Sequence, residues 1–212
     1  MGKWVIPILA GLCIPLTCWA QFTNVPGSRS RGPLRIQTGS FFVPAASCLN
    51  NSATSNWDTT SATAPAAACI TGTNTNKGVL DFDAAADEAV QITYRLPNNW
   101  KDGIDATIVW LSTGTTNNVG WCIQLLCVQD GATDDPAFPT ATVNNCISDP
   151  VKGTANQLNY ASFANLPTSA TCVPGAVLHV RWFRDGDGSV VTDNSTADAR
   201  GVGVELVVRK GK

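Results

Sequence analysis

Charge is scarce in this chain: Lys, Arg, Asp and Glu make up 14% of its 212 residues, and the formal net charge is only −2. So few basic residues create no field for a polyanion, which removes nucleic acid from the expected partners. Histidine is scarcer still, His179 being the single copy. A Ser-His-Asp triad would have to use it, but no serine stands in a G-x-S-x-G elbow, so His179 is read as a packing or surface residue. One histidine beside cysteines destined for oxidation does not complete a four-ligand zinc site either, and neither a metal nor a cofactor is expected. Helical patterning is missing: no stretch of ten or more residues carries apolar positions at helical spacing with caps, although Ala84–Ala89 has room for one turn. The N-terminal apolar stretch, Trp4–Ala20, has 17 residues and contains Pro7 and Pro15, short of the roughly 20 that a membrane span needs.

That stretch has the layout of an export signal. Lys3 supplies the positive start, Trp4–Thr17 the apolar run, and Cys18-Trp19-Ala20 a small-x-small cleavage site before Gln21. A lipoprotein reading would acylate Cys13 or Cys18, but Leu12 and Thr17 are poor residues to precede such a cysteine; an uncut apolar N-terminus could instead be buried between the subunits of a filament. The expected organisation is a signal peptide at 1–20, a flexible leader or docking arm at 21–32 (QFTNVPGSRSRG), and one domain from 33 to 212. Without Lys3 the mature balance is 13 basic to 16 acidic residues, or −3. The expected location is secreted, extracellular or on the cell surface, with a virion as the alternative.

Six cysteines lie beyond the cut, and an even count outside the cytosol favours disulfides. Cys122 and Cys127 are five apart on one predicted strand, so they face opposite ways and each needs a distant partner. The preferred pairs are Cys48 with Cys69, which would staple an Ala-, Ser- and Thr-rich insert, Cys122 with Cys146, and Cys127 with Cys172.

Period-two alternation runs through most of what remains. Val90, Ile92, Tyr94 and Leu96 alternate with Gln91, Thr93 and Arg95; Ile104, Ala106, Ile108 and Trp110 share one side of a second strand; Val119, Trp121, Ile123, Leu125 and Cys127 share one side of a third. Val177–Arg184 and Val202–Arg209 supply the last two strands, and a first pair is expected from Leu34–Ile36 and Ser40–Val43. Short strands separated by turn-rich loops give an all-β, antiparallel, disulfide-stapled sandwich of about eight strands.

The runs LDFDAAADEAVQITYRLPNNWKDGIDATIVWLS, GWCIQLLCVQDGATDDPAF, KGTANQLN and LHVRWFRDGDGSVVTDNSTADARGVGVELVV together resemble a recurring domain of tailed-phage structural gene sets and environmental bacterial surface or secreted proteins. The shared outline is an acidic-aromatic strand, a Leu-Pro-x-x-Trp strand end, a Trp-bearing strand, a GTAN turn and an Arg-Asp turn before a Val-rich strand, covering Val79 to Val208. The resemblance implies a jelly-roll-like β-sandwich with a virion or surface-structure role. The export signal and the Cys48–Cys69 insert depart from that outline.

Candidate chemistry is thin. Asp81, Asp83, Asp87, Glu88 and the Asp134-Asp135 pair are the carboxylates that a glycoside hydrolase would place across a sugar bond, but spacing cannot place them, and strand-edge decoration explains Asp81 and Asp83. Asp185-Gly186-Asp187-Gly188-Ser189 opens like a calcium loop, yet Val190 and Thr196 stand where an EF-hand needs Gly and Glu, so a hairpin tip is expected. Asn50 and Asn194 begin glycosylation sequons. Trp110, Trp121 and Trp182 fall in phase with apolar neighbours as core, whereas Trp57 and Trp100 sit in loop contexts and are the expected ligand-stacking residues. Three readings follow: a non-enzymatic exported protein that self-assembles through a sheet edge or the 21–32 arm; a carbohydrate- or receptor-binding module whose partner is a cell-surface glycan; and, third, a hydrolase using paired carboxylates.

Overall fold

Strand alternation lets residues two apart share a sheet face and be buried together, and the computed structural model of the chain folds its alternating segments this way. It describes residues 37–49, 52–59 and 63–211; the expected signal at 1–20, arm at 21–32, strand at Leu34–Ile36 and sequon at Asn50 lie outside them. The strands are β1 (Gln37–Pro44), β2 (Ala46–Leu49), β3 (Ser52–Ser55), β4 (Asp58–Thr59), β5 (Ala66–Thr71), β6 (Asn76–Phe82), β7 (Ala89–Arg95), β8 (Trp100–Ser112), β9 (Asn118–Val128), β10 (Cys146–Pro150), β11 (Asn159–Phe163), β12 (Val177–Arg184) and β13 (Ala199–Lys210). No helix occurs among the described residues.

The later strands, β6 to β13, build the sandwich: β11-β8-β13-β6 form one layer and β10-β9-β12-β7 the other, every pairing antiparallel. Every connection between them except β9 to β10 crosses from one layer to the other, which is a jelly-roll arrangement. Of this unit the alternation marks β7, β8, β9, β12 and β13; β10 and β11 are not among the expected strands. The five additional strands come from the N-terminal part of the domain: β1 pairs with β13, β2, β3 and β5 extend the β6 side of the larger sheet, and β4 joins β7 in the smaller.

Ser40–Val43 lies within β1, where Ser40 faces Val207 and Val43 faces Val204 across β13, while its expected partner at Leu34–Ile36 is outside the described residues. Two local expectations are corrected. Ala84–Ala86 bends without a helical turn. Residues 185–198 are not a hairpin tip, because β12 belongs to the smaller sheet and β13 to the larger, so this segment is an inter-sheet crossing. A buried ion pair between Arg184 and Asp193, 2.8 Å apart, fastens it.

The three bridges are Cys48–Cys69, Cys122–Cys146 and Cys127–Cys172, the pairs preferred from the sequence. Between the sheets lies a chain of aromatic rings: Trp57 against Trp182, Trp182 against Trp121 and Phe82, and Trp121 against Trp110, with centroids 4.9–5.8 Å apart. Gly201 lies directly under this cluster, and a β-carbon there would overlap the Trp182 ring. Gly201→Ala is therefore expected to destabilise the fold by about 1–3 kcal/mol as an overpacking change. Urea denaturation checks this, and adding Trp182→Phe to make room should recover part of the loss.

Candidate functional site

Outward positions of the smaller sheet align in rows across β9, β12 and β7. Gln124, Arg181 and Gln91 form one row, Leu126, His179 and Thr93 the next, and Val128, Val177 and Arg95 the third. An outward sheet face ordinarily meets water, but β9 is buried without a break from Val119 to Leu125. Two segments cover it: the 185–198 crossing lies over Gly120 through Asp185, Val191 and Asp193, and the long β9–β10 connection, residues 129–145, folds back over the positions that follow. Gln124 Nε2 donates to the Pro139 carbonyl at 2.6 Å, and the Arg181 guanidinium lies 5.9 Å from the Phe138 ring centre and 5.4 Å from that of Phe183. Cys122 and Cys146 bridge at the end of this connection, inside a small second core with Ala89 and Phe183.

A cleft of about 300 Å³ remains between the sheet and this covering segment, with Gln91, Leu126 and His179 on one side and Asp134, Asp135 and Phe138 on the other. Three polar atoms at or beside it are buried without a hydrogen-bond partner: His179 Nε2, Arg181 Nε and Gln124 Oε1. The opposite ring nitrogen of His179, Nδ1, is 3.3 Å from the Thr93 hydroxyl, which fixes the ring's orientation. Burial holds the Arg181 pKa below its ordinary value, with the nearby Asp87 charge acting in the other direction. Of the three residues only His179 lines the cleft, and the groups a ligand there would meet are the side chains of Gln91, Asp134 and Asp135 with the rings of His179 and Phe138.

The carboxylates fall elsewhere. Asp81 points outward from β6 with Arg200 Nε 3.5 Å away, an ion-pair contact without hydrogen-bond geometry, and burial holds its pKa above the ordinary carboxylate range. Asp83 and Glu88 shape the β6–β7 turn: Asp83 Oδ1 accepts from the Ala85 amide, and Glu88 Oε2 from that of Asp83. Asp87, Asp185 and Asp187 bring one carboxylate oxygen each within 4.8 Å of one another, a set able to hold a hard cation. Asp185 is already engaged in closing its own loop, however, accepting from the Val190 and Val191 amides and the Ser189 hydroxyl.

Burial, and next the Asp187 charge, push the Asp87 carboxyl up; burial does the same to Glu88 and to Asp149, which accepts from Trp110 Nε1 at 2.8 Å. A raised folded-state pKa means that the native protein binds these protons more tightly than the unfolded chain does. The resulting penalty is fully present above the folded pKa and disappears as the pH falls below the unfolded values, near 4. Stability should therefore rise as the pH falls from neutral through the raised folded-state values towards about 4. Asp87→Asn should stabilise the protein at pH 7 and flatten that rise, as read from urea midpoints across the range.

The two tryptophans expected to stack a ligand are not available for it. Trp57 is 3% exposed and Trp100 7%, both in the main core. Trp57 lies in a bend, but its ring turns inward against Trp182 and its Nε1 donates to the Pro44 carbonyl; Trp100 opens β8 and packs within the sandwich. Large flat rings gain most from complete burial, and loop location does not keep them outside. The cleft residues Gln91 and His179 were visible in the sequence as the polar phase of their strands. A further signal was the almost uninterrupted apolar run of β9, the pattern of a strand covered on both faces.

No family model matches the chain, and no curated protein matches it. Among solved structures, TmCBM27, a carbohydrate-binding module described for specific mannan recognition, is similar at 10% identity and a TM-score of 0.42, covering 83% of this chain and 99% of its own. A structure of the infectious bursal disease virus Gx strain matches at 9% identity and a TM-score of 0.39, over 82% of this chain and 32% of that one. A carbohydrate esterase, vb_24B_21, from the Shiga toxin-encoding bacteriophage phi24B matches at 12% identity and a TM-score of 0.33, over 74% and 91%. The likeness is one of β-sandwich shape, and no ligand or activity passes to this chain from it.

Proposed function

We propose that this chain is a non-enzymatic, glycan-binding β-sandwich of an exported protein, with its binding site in the cleft on the smaller sheet. The observation that carries the reading is an open cleft on a sheet face that brings together Gln91, the His179 ring, two carboxylates and the Phe138 ring. Sugar recognition needs donors and acceptors fixed in place, with an apolar ring beside them. Three disulfides fit an oxidising, extracellular location. Calorimetry against gluco-, manno- and galacto-configured oligosaccharides tests it: at least one should bind, and His179→Ala and Gln91→Ala should each weaken binding by about tenfold, near 1.4 kcal/mol. The sugars should be recovered uncleaved.

A second reading, self-association, has its own support on the other side of the molecule. Phe42 of β1 is 45% exposed and Tyr160 of β11 57%, both pointing outward from the larger sheet. If copies of the chain associate there, sedimentation should show an oligomer that Phe42→Ser with Tyr160→Ser dissociates, leaving glycan binding intact.

A further inference from the structure

The His179 cleft is not isolated. On one side it shares Leu126 and Ala137 with a mostly apolar depression of about 320 Å³ against Pro139 and Pro167. On the other it shares Asp134 with a depression of about 510 Å³ at Arg95, Asp130 and Val177. That one in turn shares Arg95, Asp130 and Gly175 with a last depression, about 280 Å³, reaching Asn98 and Pro174. Neighbouring hollows with common walls make a trough. Along β7 its course from Gln91 to Arg95 covers four residues, roughly 13 Å at the rise of an extended strand, which is longer than a single sugar ring.

Its two ends differ chemically, and its charge is uneven. Asp130, Asp134 and Asp135 are exposed along the connection after β9, which sets a row of negative charge beside the trough. Arg95 lies at the far end, where its Nε donates to the Gly175 carbonyl at 3.2 Å, and it forms no ion pair among the described residues. Gly175 has φ +81°, a conformation that suits glycine. The anchored guanidinium keeps its terminal nitrogens for a ligand. Aspartates in a row repel a polyanion, whereas carboxylates, an arginine and amides all bond well to hydroxyls.

Resting on the glycan reading above, we infer that the ligand is an uncharged linear oligosaccharide lying along this trough. Its rings run from the Pro167 end, past His179, to Arg95 and Asn98. Arg95 sets the preference for longer chains without touching the ring held at His179.

Calorimetry with neutral oligosaccharides of one to six units, and with an oligogalacturonate of matching length, tests this. Affinity should rise by about tenfold or more from the shortest to the longer neutral chains, and the uronate should bind more weakly. Arg95→Ala and Asn98→Ala should each remove the gain with length while leaving the shortest ligand's affinity unchanged, circular dichroism confirming that the variants are folded. Equal affinity at every length overturns the trough; a uronate that binds as tightly as the neutral chain overturns the uncharged class. Absence of binding by every sugar, with the parent protein folded, removes the glycan reading itself and this inference with it.

Discussion

Arg184→Ala is expected to lower the unfolding free energy by about 3–5 kcal/mol, the cost of removing one partner from a buried ion pair. The Arg184 side chain is fully buried and that of Asp193 is 1% exposed. The guanidinium meets the carboxylate with two nitrogens, at 2.8 and 3.0 Å, and donates also to the carbonyls of Phe82, Ser195 and Ala197. Asp193 in turn accepts from the Gly120 and Ser195 amides. The pair thus ties the 185–198 crossing to β6 and β9, and its loss leaves a carboxylate and three carbonyls short of donors away from water. Arg184→Met with Asp193→Leu should cost clearly less than the sum of the two single changes, because neither charge is then stranded. Urea denaturation at pH 7, with the disulfides intact, reads Arg184→Ala, the two single changes and the double. A single-variant loss below about 1 kcal/mol would mean that water reaches the pair and that the crossing is held by something else.

Strand alternation made β7, β8, β9, β12 and β13 legible, since a period of two is satisfied by a sheet with one face buried, and the inward set Ile104, Ala106, Ile108 and Trp110 is buried throughout; the short β10 and β11 carry too little pattern to be read this way. Cysteine parity on β9 was equally direct: Cys122 faces the small outer core and Cys127 the main one, so their partners had to lie on opposite sides of the sheet. What alternation does not encode is which strands meet. β1 pairs with the C-terminal strand, more than 150 positions away, and the Arg-Asp turn crosses between sheets, because both are decided by layer packing and not by local pattern.

The site was harder to see for a related reason. Its polar residues lie on the expected outward faces, but they become a site only when residues 129–145 fold over them, and nothing in that loop's composition states where it will land. Trp57 shows the opposite error. A loop position suggested exposure, and the opportunity to bury a large ring beside Trp182 prevailed.

Removing the Cys122–Cys146 bridge should weaken binding of even the shortest ligand, whereas removing Cys127–Cys172 should cost more stability and take away only the gain with chain length. The bridges span 24 and 45 positions, so constraint of the unfolded chain gives about 3.5 kcal/mol for the first and about 4 for the second, before any strain. Their positions differ more than their energies. Cys146 sits opposite Cys122 at the end of the connection that bears Asp134, Asp135 and Phe138, so its release frees one wall of the His179 cleft. Cys172 anchors the segment that supplies Pro167 at one end of the trough and Gly175 at the other. C122A/C146A should therefore lose tenfold or more in affinity for even the shortest ligand, whereas C127A/C172A should keep that affinity, lose the gain with chain length, and show the lower urea midpoint. Equal affinity of C122A/C146A and the parent for the shortest sugar would show that the covering connection holds its place without the bridge, and the wall at Asp134–Phe138 would then be set by the Gln124–Pro139 hydrogen bond and the contact of Arg181 with Phe138.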